Sequence, residues 1–253
     1  MEKINSKTPT HLGFIVDGNR RWARERGLPT LEGHRRGADK VEILVEELAK
    51  HHIPYTSLYL FSTENWNRSP EEVSYLMDLL GHAIVRLTKK FKKLNLRCVQ
   101  LGGKDRIPPD LLKKIAKAEA ETADCTAGTV GICFNYGGQQ EIADAATAIL
   151  RERLADNTIP TASTPAPASS TSTTDSLAPI TPDELSAHLY HPEIPPCDMI
   201  IRTSGEERIS GFMLWRAAYS EFLFLDKYFP DIEPSDVDLI LAEYSHRQRR
   251  FGR

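Results

Sequence analysis

Asp17 stands where the mainly apolar run Leu12 to Val16 gives way to Gly18, Asn19 and the paired arginines Arg20 and Arg21. That order suits phosphate chemistry. Glycine lets a ligand approach the backbone closely, and guanidinium groups grip phosphate oxygens bidentately. A helix opening after the turn would add unpaired N–H groups and positive partial charge. A carboxylate among such groups repels a bare diphosphate unless a divalent cation bridges them, and Mg²⁺ is commonly held by one or two carboxylates plus substrate phosphates. An isolated Asp-Gly-Asn favours a capped turn, so other clusters must decide.

Two others follow. The stretch Ser62, Thr63, Glu64, Asn65, Trp66, Asn67, Arg68 carries more polar and aromatic groups than a simple connection needs. Further on, Arg202, Arg208 and Ser210 precede a helical pattern expected over 211–219, with Glu221 beyond it. Two arginines, a hydroxyl and a helix start make a second anion site. Two anion sites with two acidic groups suggest an enzyme holding two phosphorylated substrates around a metal.

The elements that must position these groups alternate. Apolar runs read as strands at 12–16, 57–61, 96–101, 130–135, 198–202 and 222–225. Helical spacing reads at 35–52, 70–94, 110–124, 139–155, 182–190, 211–219 and 235–248. Ser69-Pro70-Glu71-Glu72 forms a capping box for the second of these. Strands alternating with helices imply an α/β fold, a mainly parallel six-stranded sheet flanked by helices. Ligands then sit at the carboxyl ends of the strands, where all three clusters fall.

With 253 residues, one sizeable domain is expected over 11–253, after a flexible 1–10. The Ser, Thr, Ala and Pro-rich stretch 155–184 reads as a disordered insertion. The net charge of −3 argues against bulk nucleic-acid binding. No secretion signal or spanning segment is read, and Cys98, Cys125, Cys133 and Cys197 form no CxxC pair. A cytoplasmic setting with buried free thiols is expected.

The stretches "HLGFIVDGNRRWARERGLP", "LYLFSTENWNR", "FNYGG" and "DMIIRTSGEERISGFMLWRAAYSEF" closely resemble the cis-prenyltransferases, specifically bacterial undecaprenyl diphosphate synthases. The likeness spans nearly the whole chain. It implies a homodimeric α/β fold with an apolar tunnel, and Mg²⁺-dependent addition of isopentenyl diphosphate units to an allylic diphosphate, farnesyl diphosphate for preference, with cis double bonds. The product implied is a long polyprenyl diphosphate such as undecaprenyl diphosphate, the lipid carrier of cell-wall synthesis. The resemblance makes Asp17 the catalytic carboxylate and a Mg²⁺ ligand, with Glu221 the second ligand. Gly18, Asn19, Arg20 and Arg21 would wrap the allylic diphosphate, with Trp22 and His34 beside it. Ser62, Thr63, Glu64, Trp66 and Arg68 would shape both substrate positions, and Asn65 matches the proposed proton acceptor. Arg202, Arg208, Ile209 and Ser210 would bind isopentenyl diphosphate. The tail, with Arg250 and Gly252, would reach that site across the dimer.

An amide such as Asn65 is a very weak base, so released diphosphate or a relayed water is the preferred acceptor. Departures from the family pattern are Arg20, Thr30, Leu60, Gln139 and Gly211. Strand alternation sets Leu60 opposite Phe61, where it could narrow the tunnel. A non-catalytic dimer partner on the same fold is the alternative, against which Asp17, Arg21, Arg202 and Arg208 are all retained. A Mg²⁺-dependent phosphohydrolase is the reading the clusters allow without the resemblance. Product release implies transient contact with the inner membrane face.

Overall fold

The computed structural model describes residues 8–155 and 178–247. Six parallel strands form one sheet: β1 (His11–Ile15), β2 (Tyr55–Ser62), β3 (Leu96–Leu101), β4 (Gly128–Tyr136), β5 (Met199–Thr203) and β6 (Glu221–Leu225). Their spatial order is β3-β4-β2-β1-β5-β6, parallel at every junction. The inner strands are covered on both faces, which is why β1 and β5 are buried at every position and read as near-continuous apolar runs.

The helices are α1 (Asn19–Glu25), α2 (Thr30–Lys50), α3 (Pro70–Leu94), α4 (Pro109–Glu121), α5 (Gly138–Ala155), α6 (Pro182–Ala187) and α7 (Pro234–His246). The capping box expected at Ser69 is half realised: its hydroxyl accepts the Glu72 N–H, with Pro70 at the first helical position. Along α3, Met77, Leu80, Ile84, Leu87 and Phe91 form the buried stripe. With α2, α4 and α7 that stripe covers the face carrying Leu12, Phe14, Leu58 and Ile201. Ile15, Tyr59 and Cys133 point the other way, onto Phe212 and Met213.

The structure differs from the expected bounds at four places. Residues 211–219 form consecutive turns rather than a helix, since Gly211 (φ 76°) and Met213 (φ 48°) hold left-handed backbone that no α-helix admits. The expected insertion is shorter at its far end. Thr181 and Glu184 make a capping box for α6, and Arg153 Nη2 donates to Glu184 Oε2 at 2.7 Å; residues 156–177 lie outside the described part. Thr10 is likewise held, its N–H donating to Asp198 Oδ2 at 2.6 Å, while 1–7 are not described. α2 begins at Thr30, five residues before the apolar periodicity shows, because Leu31 is the one large apolar residue among its first seven. Packing fixes its first turn, for a Cβ on Gly33 would lie 2.0 Å from the Asn19 carbonyl of α1.

All four cysteines are free, with Cys98, Cys133 and Cys197 buried. Burial pushes the Cys98 thiol up to about 12, so it is an inert core group.

Candidate active site

β1 leads through α1 and α2 to β2 on one side, whereas β5 leads to β6 on the other. A crevice therefore opens at the carboxyl ends of β1 and β5, the position where open parallel sheets bind ligands. Asp17 follows β1 and Arg202 belongs to β5. Arg202 Nη2 donates to Asp17 Oδ2 at 2.8 Å, and Arg21 Nη2 donates to the same oxygen at 3.2 Å. Thr203 joins the strand ends, accepting the Asp17 N–H and donating to the Asp17 carbonyl. Burial works to raise the Asp17 pKa. Hydrogen bonds from Arg202 and the Gly18 N–H, with the charges of Arg202 and Arg21, outweigh it and hold the carboxyl below its ordinary value.

Gly18 must be glycine. Its φ is 101°, and a Cβ there would meet Tyr228 Cδ1 at 2.6 Å. The backbone then enters α1, whose N-terminus aims at the crevice, and its side chains divide by helical spacing. Arg20, Arg21 and Arg24 line the cleft. Trp22 does not: its Nε1 donates to Asp231 Oδ1 at 2.7 Å and Arg26 stacks on its ring at 4.6 Å, so it anchors α1 to the opposite side. Trp22 is therefore not among the residues that line the cleft.

Arg202 is 5% exposed. Its Nη1 donates to the Arg208 carbonyl at 2.5 Å and to Ser210 Oγ at 2.9 Å, while its Nε has no acceptor among the described residues. A buried cationic N–H of this kind can take an oxygen of an anionic ligand. Ser210 lines the cleft. Arg208 contributes its carbonyl there, while its guanidinium pairs with Glu206; Ile209 packs into the core. Glu206 also takes Arg21 Nη1 at 2.5 Å, so one carboxylate bridges two of the expected diphosphate arginines.

From the second cluster, Ser62, Asn65 and Arg68 reach the cleft. Asn65 Oδ1 accepts the Ser62 N–H at 3.1 Å, which commits its carbonyl to a cap. Trp66 instead donates to Asn135 Oδ1 at 2.7 Å and packs edge-on to Phe61. Thr63 donates to an exposed Glu64. These three shape the loop rather than line the cleft. Glu221 lies at the wrong end of β6. It is level with Met199 and Leu12, so Asp17 is five residues further along, about 16 Å at ~3.3 Å per residue. Its carboxylate pairs with Arg247. Within one chain, Asp17 and Glu221 cannot share an ion. Arg250 and Gly252 lie outside the described residues.

The cleft holds about 710 Å³ and continues into an apolar pocket of about 80 Å³ between α2 and α3. Val16, Asn19, His34, Leu60, Phe61 and Leu76 line both. The apolar pocket is far smaller than the cleft that opens onto it. Leu60 faces it together with Phe61. A register shift in β2 against β4 sets both on the same face, which overturns the expected alternation.

Sequence reading missed Arg24, Glu72 and Glu206. Arg24 follows Arg20 by one helical turn, a spacing that would have found it. Glu72 read as a capping residue, yet its Oε1 accepts Arg68 Nη1 at 3.0 Å and contacts His34 Nε2 at 3.1 Å, with Arg20 Nε at 3.9 Å.

An all-parallel α/β sheet with an arginine-lined crevice opening onto an apolar pocket defines a binder of molecules that are anionic at one end and hydrocarbon at the other. The comparisons agree. Residues 15–252 match the family described as "Putative undecaprenyl diphosphate synthase". The chain is 38% identical over 96% of its length to 80% of a trans,polycis-polyprenyl diphosphate synthase ((2Z,6E)-farnesyl diphosphate specific) from Thermobifida fusca. It is 39% identical to an isoprenyl transferase from Thermotoga maritima, with 97% of each chain covered. A crystal structure of lavandulyl diphosphate synthase from Lavandula x intermedia, in complex with dimethylallyl diphosphate, superposes with TM-score 0.87 at 27% identity. That match covers 98% of this chain and all of the other. The chain belongs to the undecaprenyl diphosphate synthase family of prenyltransferases.

Proposed function

We propose that this enzyme condenses isopentenyl diphosphate units onto an allylic diphosphate, with farnesyl diphosphate the expected primer and cis geometry at each new double bond. The observation that carries the reading is the junction of the two cavities. Guanidinium groups and Asp17 stand on one side of it and an apolar pocket on the other, the shape of a prenyl diphosphate.

The chain's own residues divide the work. Arg20, Arg21 and Arg68 hold the allylic diphosphate, with the α1 N–H groups. Arg202 and Ser210 hold the isopentenyl diphosphate, whose anion satisfies the orphaned Arg202 Nε. Cations near the leaving diphosphate stabilise charge that grows as the allylic C–O bond breaks. Fixing both substrates removes much of the entropic barrier. Asp17 fits Mg²⁺ as one half-exposed carboxylate supplemented by substrate oxygens; the ion, when bound, neutralises diphosphate charge. Any contribution of Glu221 must come from a second chain.

A homodimer is proposed through the β6 edge, where Phe222 and Tyr219 are exposed and Phe222 stacks on Phe224. No described helix is long and apolar enough to cross a membrane, and transient contact of the cleft mouth with a membrane surface is the proposed route of release. A product as long as undecaprenyl diphosphate requires α2 and α3 to part.

The test is elongation: farnesyl diphosphate, labelled isopentenyl diphosphate and Mg²⁺, with products sized by chromatography. No elongation of any allylic primer overturns the reading.

A further inference from the structure

Six residues line both cavities, and only Asn19 and His34 among them are polar. His34 is the one side chain of the six able to titrate near neutral pH. On the reading above, this junction is where the hydrocarbon meets the diphosphate and where the allylic C–O bond breaks. The His34 ring is 7% exposed and held from behind, its Nε2 being 3.1 Å from Glu72 Oε1.

Chemistry fixes the tautomer. Burial raises the Glu72 pKa, but hydrogen bonding from His34 and the charges of Arg68 and Arg20 outweigh it, so Glu72 is ionised and only accepts. Nε2 must therefore carry the proton. Burial, opposed by the Glu72 hydrogen bond, holds the His34 pKa below its ordinary value and the ring is neutral at pH 7. The charged groups around it come from three elements: Glu72 on α3, Arg68 just before α3, and Arg20 on α1. Nδ1 has no hydrogen-bond partner among the described residues, which leaves its lone pair free. A histidine oriented by a carboxylate, with its other nitrogen basic, is the arrangement of a general base.

We propose that His34, positioned by Glu72, is the terminal proton acceptor of the condensation. The allylic C–O bond breaks and its electron pair stays on the departing diphosphate oxygen. The isopentenyl π pair forms the new C–C bond, and the adjacent C–H pair becomes the new double bond. The proton passes to the diphosphate oxygen and from there to His34 Nδ1. The imidazolium is balanced by Glu72 and later loses its proton to water. This role suits Asn65 poorly, since its carbonyl already accepts the Ser62 N–H. The inference rests on the proposed function and is separable from it.

The test uses the full chain in two ways. NMR of ¹⁵N-histidine-labelled protein without added metal follows the His34 ring through pH, assigned by comparison with His34→Gln and repeated in Glu72→Gln. Turnover with farnesyl diphosphate, labelled isopentenyl diphosphate and Mg²⁺ is then measured against pH for the same proteins. Glutamine keeps a donor for Glu72 and removes the basic lone pair. The expected results are an Nε2–H tautomer and an acid limb of kcat/KM that coincides with the His34 titration. His34→Gln should lower kcat about 100-fold, within the range of general-base loss, with both KM values changed less than about threefold. In Glu72→Gln the titration and the acid limb should move to lower pH together. An Nδ1–H tautomer, an acid limb that stays while the titration moves, or a raised allylic KM with kcat preserved each overturns the proposal. A native protein that elongates no primer overturns the underlying function instead; failure of the inference alone leaves native turnover intact.

Discussion

Replacing Asp17 with asparagine separates the two things its carboxylate does. It accepts from Arg202 at 2.8 Å and Arg21 at 3.2 Å. Making both bonds neutral on the acceptor side loses about 1 kcal/mol each. Asp17 and Arg21 are each 31% exposed, so screening reduces the total to roughly 1 kcal/mol. For a domain of this size that is a fall in Tm of about 2–4 °C at pH 7. The sign with pH follows from the depressed carboxyl pKa in the folded state. The stabilisation is present above the unfolded value of about 3.9 and is lost as pH falls through the lower folded value, so native and variant converge in acid. Binding moves oppositely. The native carboxylate repels metal-free diphosphate by about 1 kcal/mol per charge pair at ~4 Å even in water's dielectric. Calorimetry in a chelator should therefore find inorganic diphosphate bound about fivefold tighter by Asp17→Asn. Adding Mg²⁺ should tighten binding to the native protein and leave the variant nearly unchanged, with elongation falling at least about 100-fold. Looser metal-free binding by the variant would refute the argument, because it would mean that Asp17 does not face the diphosphate.

Leu60→Ala removes three carbons from the wall of a pocket of about 80 Å³, so longer products are expected, at a stability cost of about 2 kcal/mol; an unchanged chain-length distribution sinks that role. Glu141 and Arg216 are 1% and 3% exposed and pair at 2.6 Å. Glu141→Gln leaves that cation without its counter-charge and should cost about 3 kcal/mol, read as a Tm lower by roughly 10 °C with KM values unaltered. His11 is buried between Ser57 and the Pro195 carbonyl, and burial lowers its pKa to about 4. The unfolded chain binds the extra proton between pH 6.5 and 4, so stability falls as pH drops through that window, by on the order of 3 kcal/mol. Urea midpoints at pH 7 and 4.5 check this, and His11→Asn should flatten the difference.

The six strands were legible because parallel strands buried on both faces leave apolar runs that little else explains. The cleft was legible for the same reason, since its polar clusters each follow such a run. What escaped reading was set by backbone and by side-chain direction. The stretch after Ser210 has the apolar spacing of a helix, yet Phe212 and Met213 are both fully buried because Met213 takes a φ of 48°. No side-chain pattern announces that. The slipped register that turns Leu60 and Phe61 to one face is equally silent. Trp22, expected near the diphosphate by its adjacency to arginines, faces away from Arg20 and Arg24 on the helix and bonds Asp231. Glu221 shows the opposite failure: a residue type suited to a metal stands at the far end of its strand.

The loop from Ser204 to Met213 shows what the site demands of the backbone. Ser204 (φ 82°), Ser210 (φ 48°) and Met213 (φ 48°) occupy left-handed conformations that cost non-glycine residues about 1 kcal/mol or more each. In return Ser204 Oγ accepts from Arg21 at 2.7 Å, and Ser210 Oγ and the Arg208 carbonyl accept from Arg202. Without those acceptors a guanidinium could not be buried at 5% exposure beside a single shared carboxylate. Even so the cleft wall carries five arginines against one aspartate, in a chain whose net charge is −3. Such a concentration of positive charge stores repulsion that only an anion relieves, and low-dielectric walls focus its field outward. Glu72, paired with Arg20 and Arg68, and Glu206, paired with Arg21 and with Arg208, stand outside the lining and damp that repulsion. The fold thus holds its cations on carboxylates and strained serines, in an arrangement that an anionic ligand can neutralise in their place.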